Sequence, residues 1–331
     1  MKTVKTLSFA EFGRPLEVLE LGERNLPDPE KGEVQIRILA APIHPSDFGI
    51  ILGKYGNLPE LPAIGGREGV GEVVALGEDV KGLSLGDRVV VPKDVGSWQQ
   101  AANVEAGDCF VIPEGVPLEM AAMIMVNPPT AWRLLRDAHL ANGDWLIQNA
   151  ANSAVGLHVI EMARYLDLKT INVVRREELV EPLKARGADV VVLEESGYEK
   201  KIADLTGGEP VRLALNSVGG SSAIRLVKAL SPGGLHITFG AMTFDAVRLP
   251  TRELIFEGLV MKGFWMDKWF RENTRARVQI MFDKMFDLMQ KGIIQAPVEA
   301  EYSLDDYKAA IEAAGQPRLG KILFRFDRQS S

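Results

Sequence analysis

Cysteine is almost missing from this chain: Cys109 is the single thiol among 331 residues. An internal disulfide and a cysteine-rich metal site are therefore excluded, and a lone thiol with no cationic neighbour in sequence reads as packing rather than chemistry. No apolar run approaches the roughly 18 residues that a membrane span needs. No long basic run offsets the net charge of −7, so a nucleic-acid partner, which requires clustered Lys and Arg, is not expected. The start MKTVKTLSFAEFG has neither an apolar signal core nor an Arg-rich amphipathic presequence, and a cytoplasmic address is the expectation that follows. Repeats and low-complexity tracts are missing as well.

What is present is a globular composition, 46% hydrophobic and 25% charged, at a length that suits two domains. The first hundred residues hold short strand-like runs, VQIRILAAPI, GVGEVVALG, GDRVVVP and CFVIP, separated by turn residues. After Pro117 the pattern changes to alternating helices and apolar strands: LEMAAMIM, a helix over 130–139, strand WLIQNA, helix AVGLHVIEMARYL and strand TINVV, continuing as far as LVMKGF. Apolar runs without internal alternation, joined by helices, predict a parallel sheet covered on both faces, a doubly wound α/β domain. Beyond Trp265 come an amphipathic helix over 275–291, a second helix opened by Ser303 and Asp306 in a capping-box pattern, and strand KILFRF. This tail is too small to stand alone and is expected to return to the β-rich part. The expected division is 1–120 with 266–331 in one domain and 121–265 in the other. The final FDRQSS is expected to fray.

Glycine is scarce where a nucleotide-binding turn usually carries it. In IQNAANSAVG (147–156) only Gly156 remains, with Asn152 and Ser153 able to hydrogen-bond phosphate oxygens at the start of a helix. The same residues suit an ordinary helix start with Asn152 or Ser153 as N-cap, and the stretch alone leaves both readings open. The following strand ends at Arg175-Arg176. An NAD site would place an acid there, whereas guanidinium groups suit a 2′-phosphate, which favours NADP(H).

Six stretches, GKYGNLPELPAIGGREGVGEVVALG, VNPPTAWRLL, IQNAANSAVG, INVVRR, LALNSVGG and KGFWMDKW, together resemble the medium-chain dehydrogenase/reductase superfamily. More narrowly they are similar to its zinc-independent 2-enoyl thioester reductases of the mitochondrial trans-2-enoyl-CoA reductase type, in order from about Thr6 to Phe326. The resemblance implies a GroES-like β-rich catalytic domain formed by both chain ends and a central Rossmann domain. It implies NADPH contacts from Asn127, Asn152, Ser153, Ala154 and Val155, with Arg175 and its neighbour Arg176 at the 2′-phosphate. Phe239, Gly240, Ala241 and Met242, with Phe264, Trp265 and Met266, would line the nicotinamide half, and Lys321 would close on the cofactor. The family commonly reads Arg-Asp-Arg where this chain has Arg175-Arg176-Glu177, which implies a weaker preference for NADPH. A homodimer is implied too.

Zinc dehydrogenases of the superfamily need a Gly-His-Glu triplet, and here Gly66-Arg67-Glu68 stands in its place. His44 and Glu68 give two ligands at most, one short of a catalytic zinc site, so no metal is expected. His44 is read instead as packed or hydrogen-bonded beside the cleft. Without a Lewis acid the reaction needs a hydrogen-bond donor, and Tyr55 of KYG matches the reductases' active-site tyrosine. Trp265 and Trp269 are candidates for an acyl-chain wall, and Arg67 or Lys268 for the phosphates of coenzyme A. The leading expectation is NADPH-dependent reduction of trans-2-enoyl-CoA or enoyl-acyl-carrier-protein. An NADPH:quinone or alkenal reductase is the nearest alternative, and a non-catalytic NADPH-binding regulator a further one.

Overall fold

The computed structural model describes residues 2–243, 245–247 and 251–326; the expectation for the extreme C-terminus, from residue 327 on, lies outside them. The chain divides into two compact units, one of 1–126, 282–291 and 295–331, the other of 127–281 and 292–294.

In the first unit, strand Glu33–Pro42 is the spine of a seven-stranded sheet. It pairs antiparallel with Val70–Leu76, with Ala101–Glu105 and with Lys321–Arg325, the last placing Leu323 opposite Pro42. Val298–Tyr302 then runs parallel to Lys321–Arg325. The C-terminal strand is thus built into the N-terminal sheet, as its apolar KILFRF pattern and the small size of the tail required. Alternation explains the burial: Val34, Ile36 and Ile38 point into a core with Val73, Val89, Val104 and Cys109. A second cluster joins Leu7, Phe9, Trp98 and Phe324, with the Trp98 and Phe324 rings edge to face at 5.5 Å. Cys109 is a buried packing residue whose Sγ lies 3.8 Å from the Glu105 carbonyl.

The second unit holds six parallel strands in the order Val190–Leu193, Lys169–Val174, Trp145–Gln148, Val211–Asn216, Leu235–Thr238 and Val260–Gly263. The order turns back on itself at Trp145–Gln148 and Val211–Asn216, the switch point at which a doubly wound sheet binds its ligand. Every residue of Trp145–Gln148 is buried, the mark of a strand covered on both faces.

Several boundaries differ from expectation. The first unit reaches Val126 rather than 120, because the backbone N–H groups of Met125 and Val126 bond the Glu68 carboxylate at 2.7 and 2.9 Å. Helix Met266–Glu272, expected with the tail, belongs to the second unit, where Trp269 receives the Arg133 guanidinium 5.4 Å from its ring centroid. LEMAAMIM is helical only over Leu118–Ala121, and the next helix is Asn127–Arg136. Pro128 and Pro129 sit in its first turn, where a missing N–H costs nothing. Ser303 and Asp306 bond each other, Oγ to Oδ2 at 2.6 Å, instead of forming a capping box. Among the described residues no helix is long and apolar enough to cross a membrane.

His236, in strand Leu235–Thr238, is fully buried, and neither ring nitrogen has a hydrogen-bond partner among the described residues. Burial lowers its pKa from 6.5 to about 4. The unfolded chain therefore takes up this proton first as pH falls. Stability contributed by the neutral ring is complete above pH 6.5 and is lost toward pH 4, a contribution of roughly 3 kcal/mol. Denaturant unfolding across that interval is expected to show a smaller acid loss in His236→Met than in the parent chain; equal losses would assign the acid sensitivity elsewhere.

Candidate active site

In the second unit the turn after Trp145–Gln148 is shaped by buried polar groups. Asn149 Nδ2 donates to Asn216 Oδ1 at 2.8 Å and to Ser222 Oγ at 3.0 Å, and its Oδ1 accepts from Ser217 N at 2.9 Å. Asn216 in turn donates to Thr238 Oγ1 at 3.1 Å and accepts from Val218 N and Gly219 N. The carboxyl ends of three adjacent strands are thereby locked together. These asparagines were missed as site residues, although each closes an apolar strand in the sequence, WLIQN and RLALN, where a lone amide is a visible signal.

Ala150 follows in the left-handed region at φ 45°, and the chain turns into the 12-residue helix Ala154–Tyr165. Ser153 caps it, Oγ accepting from Gly156 N at 3.1 Å. A cap of this kind uses an oxygen lone pair and leaves the hydroxyl proton available to an anion, so the two readings of the stretch are compatible. A Cβ on Gly156 would lie 2.6 Å from the Ala151 carbonyl oxygen, so close packing of the helix on the turn requires glycine. Asn152, Ser153, Ala154 and Val155 are partly exposed at the helix start, the end of a helix whose dipole favours an anion.

The expected cofactor residues that follow Lys169–Val174, Leu235–Thr238 and Val260–Gly263 lie at the carboxyl ends of those strands. Arg175 is exposed just beyond Lys169–Val174, while Arg176 pairs with Glu178 at 3.0 Å. Phe239 N bonds Asn216 O, and Met242 N bonds Ser217 O. Gly240 lies where a Cβ would be 3.0 Å from Ser217 O, and Ala241 is exposed beside it. Phe264 N bonds Thr238 O at 2.9 Å. Trp265 stacks with Arg271 at 4.7 Å, Met266 is buried, and Trp269 meets Phe270 edge to face at 5.6 Å. Asn127 is 5% exposed, and its Nδ2 is buried with no hydrogen-bond partner among the described residues. Leaving such a donor unmade is costly, and the carboxamide or phosphate of a dinucleotide would satisfy it. Helix start, tight glycines and orphaned amide fit a nicotinamide dinucleotide.

The first unit holds a buried relay. Lys321 Nζ lies 2.7 Å from His44 Nδ1, and His44 Nε2 lies 2.5 Å from Glu68 Oε1. Glu68 Oε2 accepts the two N–H bonds from Met125 and Val126. Burial, then the Lys321 charge, holds the His44 imidazole well below its ordinary range, so the ring is neutral and these partners assign its proton to Nε2. Burial raises Glu68 and lowers Lys321, and each opposes the other's shift through its charge. Three N–H groups converging on one carboxylate favour its ionised form. Asp47, opening helix Pro45–Ile51, accepts from His44 N at 2.6 Å.

A zinc ion does not fit this donor set: both His44 nitrogens are engaged, and the cation beside them is the Lys321 ammonium. Among the described residues no three His, Cys, Asp or Glu side chains are grouped to hold a metal. Lys321 is 7% exposed. Arg67, considered for coenzyme A phosphates, is equally buried and donates to Tyr55 Oη at 2.9 Å. Lys268 is exposed, 3.7 Å from Glu272. Tyr55 is partly buried.

Residues 30–116 match the family described as alcohol dehydrogenase GroES-like domain, and residues 154–285 the family described as zinc-binding dehydrogenase. The human mitochondrial enoyl-[acyl-carrier-protein] reductase is 39% identical over 321 residues, 95% of this chain and 86% of that protein. Among solved structures, the Etr1p/NADP/crotonyl-CoA complex superposes with a TM-score of 0.91 at 26% identity, covering 98% of this chain and 100% of that one. A candidate NADPH:quinone reductase from Bacillus thuringiensis gives 0.91 at 28% identity, covering 98% and 99%. The cytoplasmic address expected from the sequence is corrected by these names: the human relative, and others from Xenopus tropicalis and Dictyostelium discoideum, are named mitochondrial. The expectation rested on an absence, and an absence carries no address.

Removing Lys321 leaves Glu68 as a buried carboxylate without its countercharge. Lys321→Met is expected to cost about 3–5 kcal/mol in denaturant unfolding, and Lys321→Met/Glu68→Gln to recover part of it. A double variant no more stable than the single one would show that the two charges are not coupled.

Proposed function

The chain belongs to the enoyl thioester reductases of the medium-chain dehydrogenase/reductase superfamily, and we propose that its own residues divide that reaction between a cofactor cradle in the second unit and a proton donor in the first. The reaction is NADPH-dependent reduction of the carbon–carbon double bond of a 2-enoyl thioester. When bound, NADPH would supply the hydride that the β-carbon receives. Asn152, Ser153, Ala154 and Val155 would hold its pyrophosphate, and Arg175, with Arg176 adjacent, would meet its 2′-phosphate. Asn127, with Phe239 to Met242 and Phe264 to Met266, would position the nicotinamide. Lys321, bonded to His44, would serve the cofactor, and Trp265 and Trp269 would serve the acyl chain.

Tyr55 carries the proton side. As charge gathers on the thioester oxygen the phenol donates a hydrogen bond, and the α-carbon of the enolate receives a proton. The supporting observation is the substitution at the superfamily's zinc position: a Lys321–His44–Glu68 relay stands there, next to an Arg67 that presents the Tyr55 hydroxyl. The acyl group is carried on coenzyme A or acyl carrier protein. The likeness to a candidate quinone reductase keeps NADPH:quinone reduction as the second reading.

A homodimer formed through the last strand of the parallel sheet suits the second unit. Val260 on that edge is 53% exposed, and Ile255 and Phe256 of helix Thr251–Phe256 are 66% and 74% exposed, an apolar group that a second copy would cover.

NADPH oxidation is expected with crotonyl-CoA and with enoyl-acyl carrier protein, and to fall roughly 10²–10³-fold in Tyr55→Phe. Turnover of a quinone alone would overturn the reading. Arg175→Ala is expected to raise KM for NADPH roughly tenfold or more without changing that for NADH; equal effects would move the 2′-phosphate site. Light scattering should give twice the chain mass, and Val260→Lys the monomer mass; a dimer in both would place the contact elsewhere.

A further inference from the structure

Tyr55 is held on more than one side. Its ring lies against helix Pro45–Ile51, where a Cβ on Gly49 would sit 3.4 Å from Tyr55 Cδ2. The Arg67 guanidinium carbon lies 4.7 Å from the ring centroid while Nη1 donates to the hydroxyl oxygen. A guanidinium can only donate. Tyr55 Oη therefore accepts from Arg67, and the phenol's own proton is directed to a different acceptor.

Arg67 is fixed in turn by the glycines around it. A Cβ on Gly65 or Gly66 would collide with the Trp98 indole, Gly66 has φ of 87°, and a Cβ on Gly69 would lie 2.9 Å from the Ala40 carbonyl oxygen. The next residue, Glu68, is bound by His44 and by two backbone N–H groups. A backbone pinned this way presents the guanidinium without reorganisation during the reaction.

We propose that Arg67 is the positioning residue for Tyr55, an inference that rests on the reading of Tyr55 as proton donor. Arg67 orients the phenol and stabilises the charge it acquires. When the enolate's electron pair forms the new C–H bond at the α-carbon, the Tyr55 O–H bond breaks and the negative charge passes to Oη, which still accepts from Arg67. Water then restores the phenol proton. A cation hydrogen-bonded to an oxyanion in a partly buried site strengthens as that charge develops.

A double-variant cycle with crotonyl-CoA tests this. Arg67→Met is expected to lower kcat roughly 10- to 100-fold while KM for NADPH stays within about twofold, and Arg67→Lys to restore part of the loss. The solvent deuterium isotope effect should rise in Arg67→Met as proton transfer becomes limiting, and the effect of 4-deuterated NADPH should fall. In the Tyr55→Phe background Arg67→Met should cost less than about twofold, because its route is already gone. Losses that multiply would overturn the proposal and leave Tyr55 as donor. Full activity of Tyr55→Phe would overturn both. If Arg67→Met does not fold, Arg67→Lys, which keeps the buried cation, runs the same cycle with the same two readings.

Discussion

The Glu68 carboxylate is the interaction on which the first unit depends. Its oxygens take His44 from the loop before one helix and two backbone N–H groups from residues 125 and 126, and through His44 it reaches Lys321 on the final strand. Four distant stretches of chain meet on one buried charge. Such a cluster is stable only when every member is satisfied, since an unpaired carboxylate at this depth costs several kcal/mol. The fully paired arrangement also fixes the turn that carries Arg67, so the frame of the β-rich unit and the placement of Tyr55 have a common origin.

The second unit meets a different constraint: a dinucleotide turn with one glycine. Where close approach matters most, Gly156 is retained, since any Cβ there would meet the Ala151 carbonyl. Elsewhere Ala150 adopts the left-handed conformation that glycine would take more cheaply. The Asn149–Asn216 network supplies the hydrogen bonds that hold that turn in place. Side chains thus do what backbone freedom does in glycine-rich relatives of this turn.

Much of this was legible in the sequence. Unbroken apolar runs such as WLIQ and INVV identified the buried parallel sheet, and KILFRF identified the returning strand, because burial on one or two faces leaves a direct imprint on residue order. Element ends were less legible: Asn127 opens a helix through two prolines because the first turn tolerates them, and the sequence offers no way to distinguish that from a break. The sequence suggests the cofactor for Lys321 and coenzyme A for Arg67 but not their hydrogen-bond partners within the protein, His44 and Tyr55, which lie 277 and 12 residues away; pairing at such separations is a property of the fold rather than of local pattern.

This chain reduces an enoyl thioester by hydride delivery to the β-carbon and protonation of the α-carbon. Locating the label in butyryl-CoA formed from crotonyl-CoA tests it directly. With 4-deuterated NADPH in ordinary water deuterium is expected at the β-carbon alone, and with ordinary NADPH in heavy water at the α-carbon alone. Deuterium from the cofactor at the α-carbon, or cofactor oxidation with no labelled thioester, would contradict it.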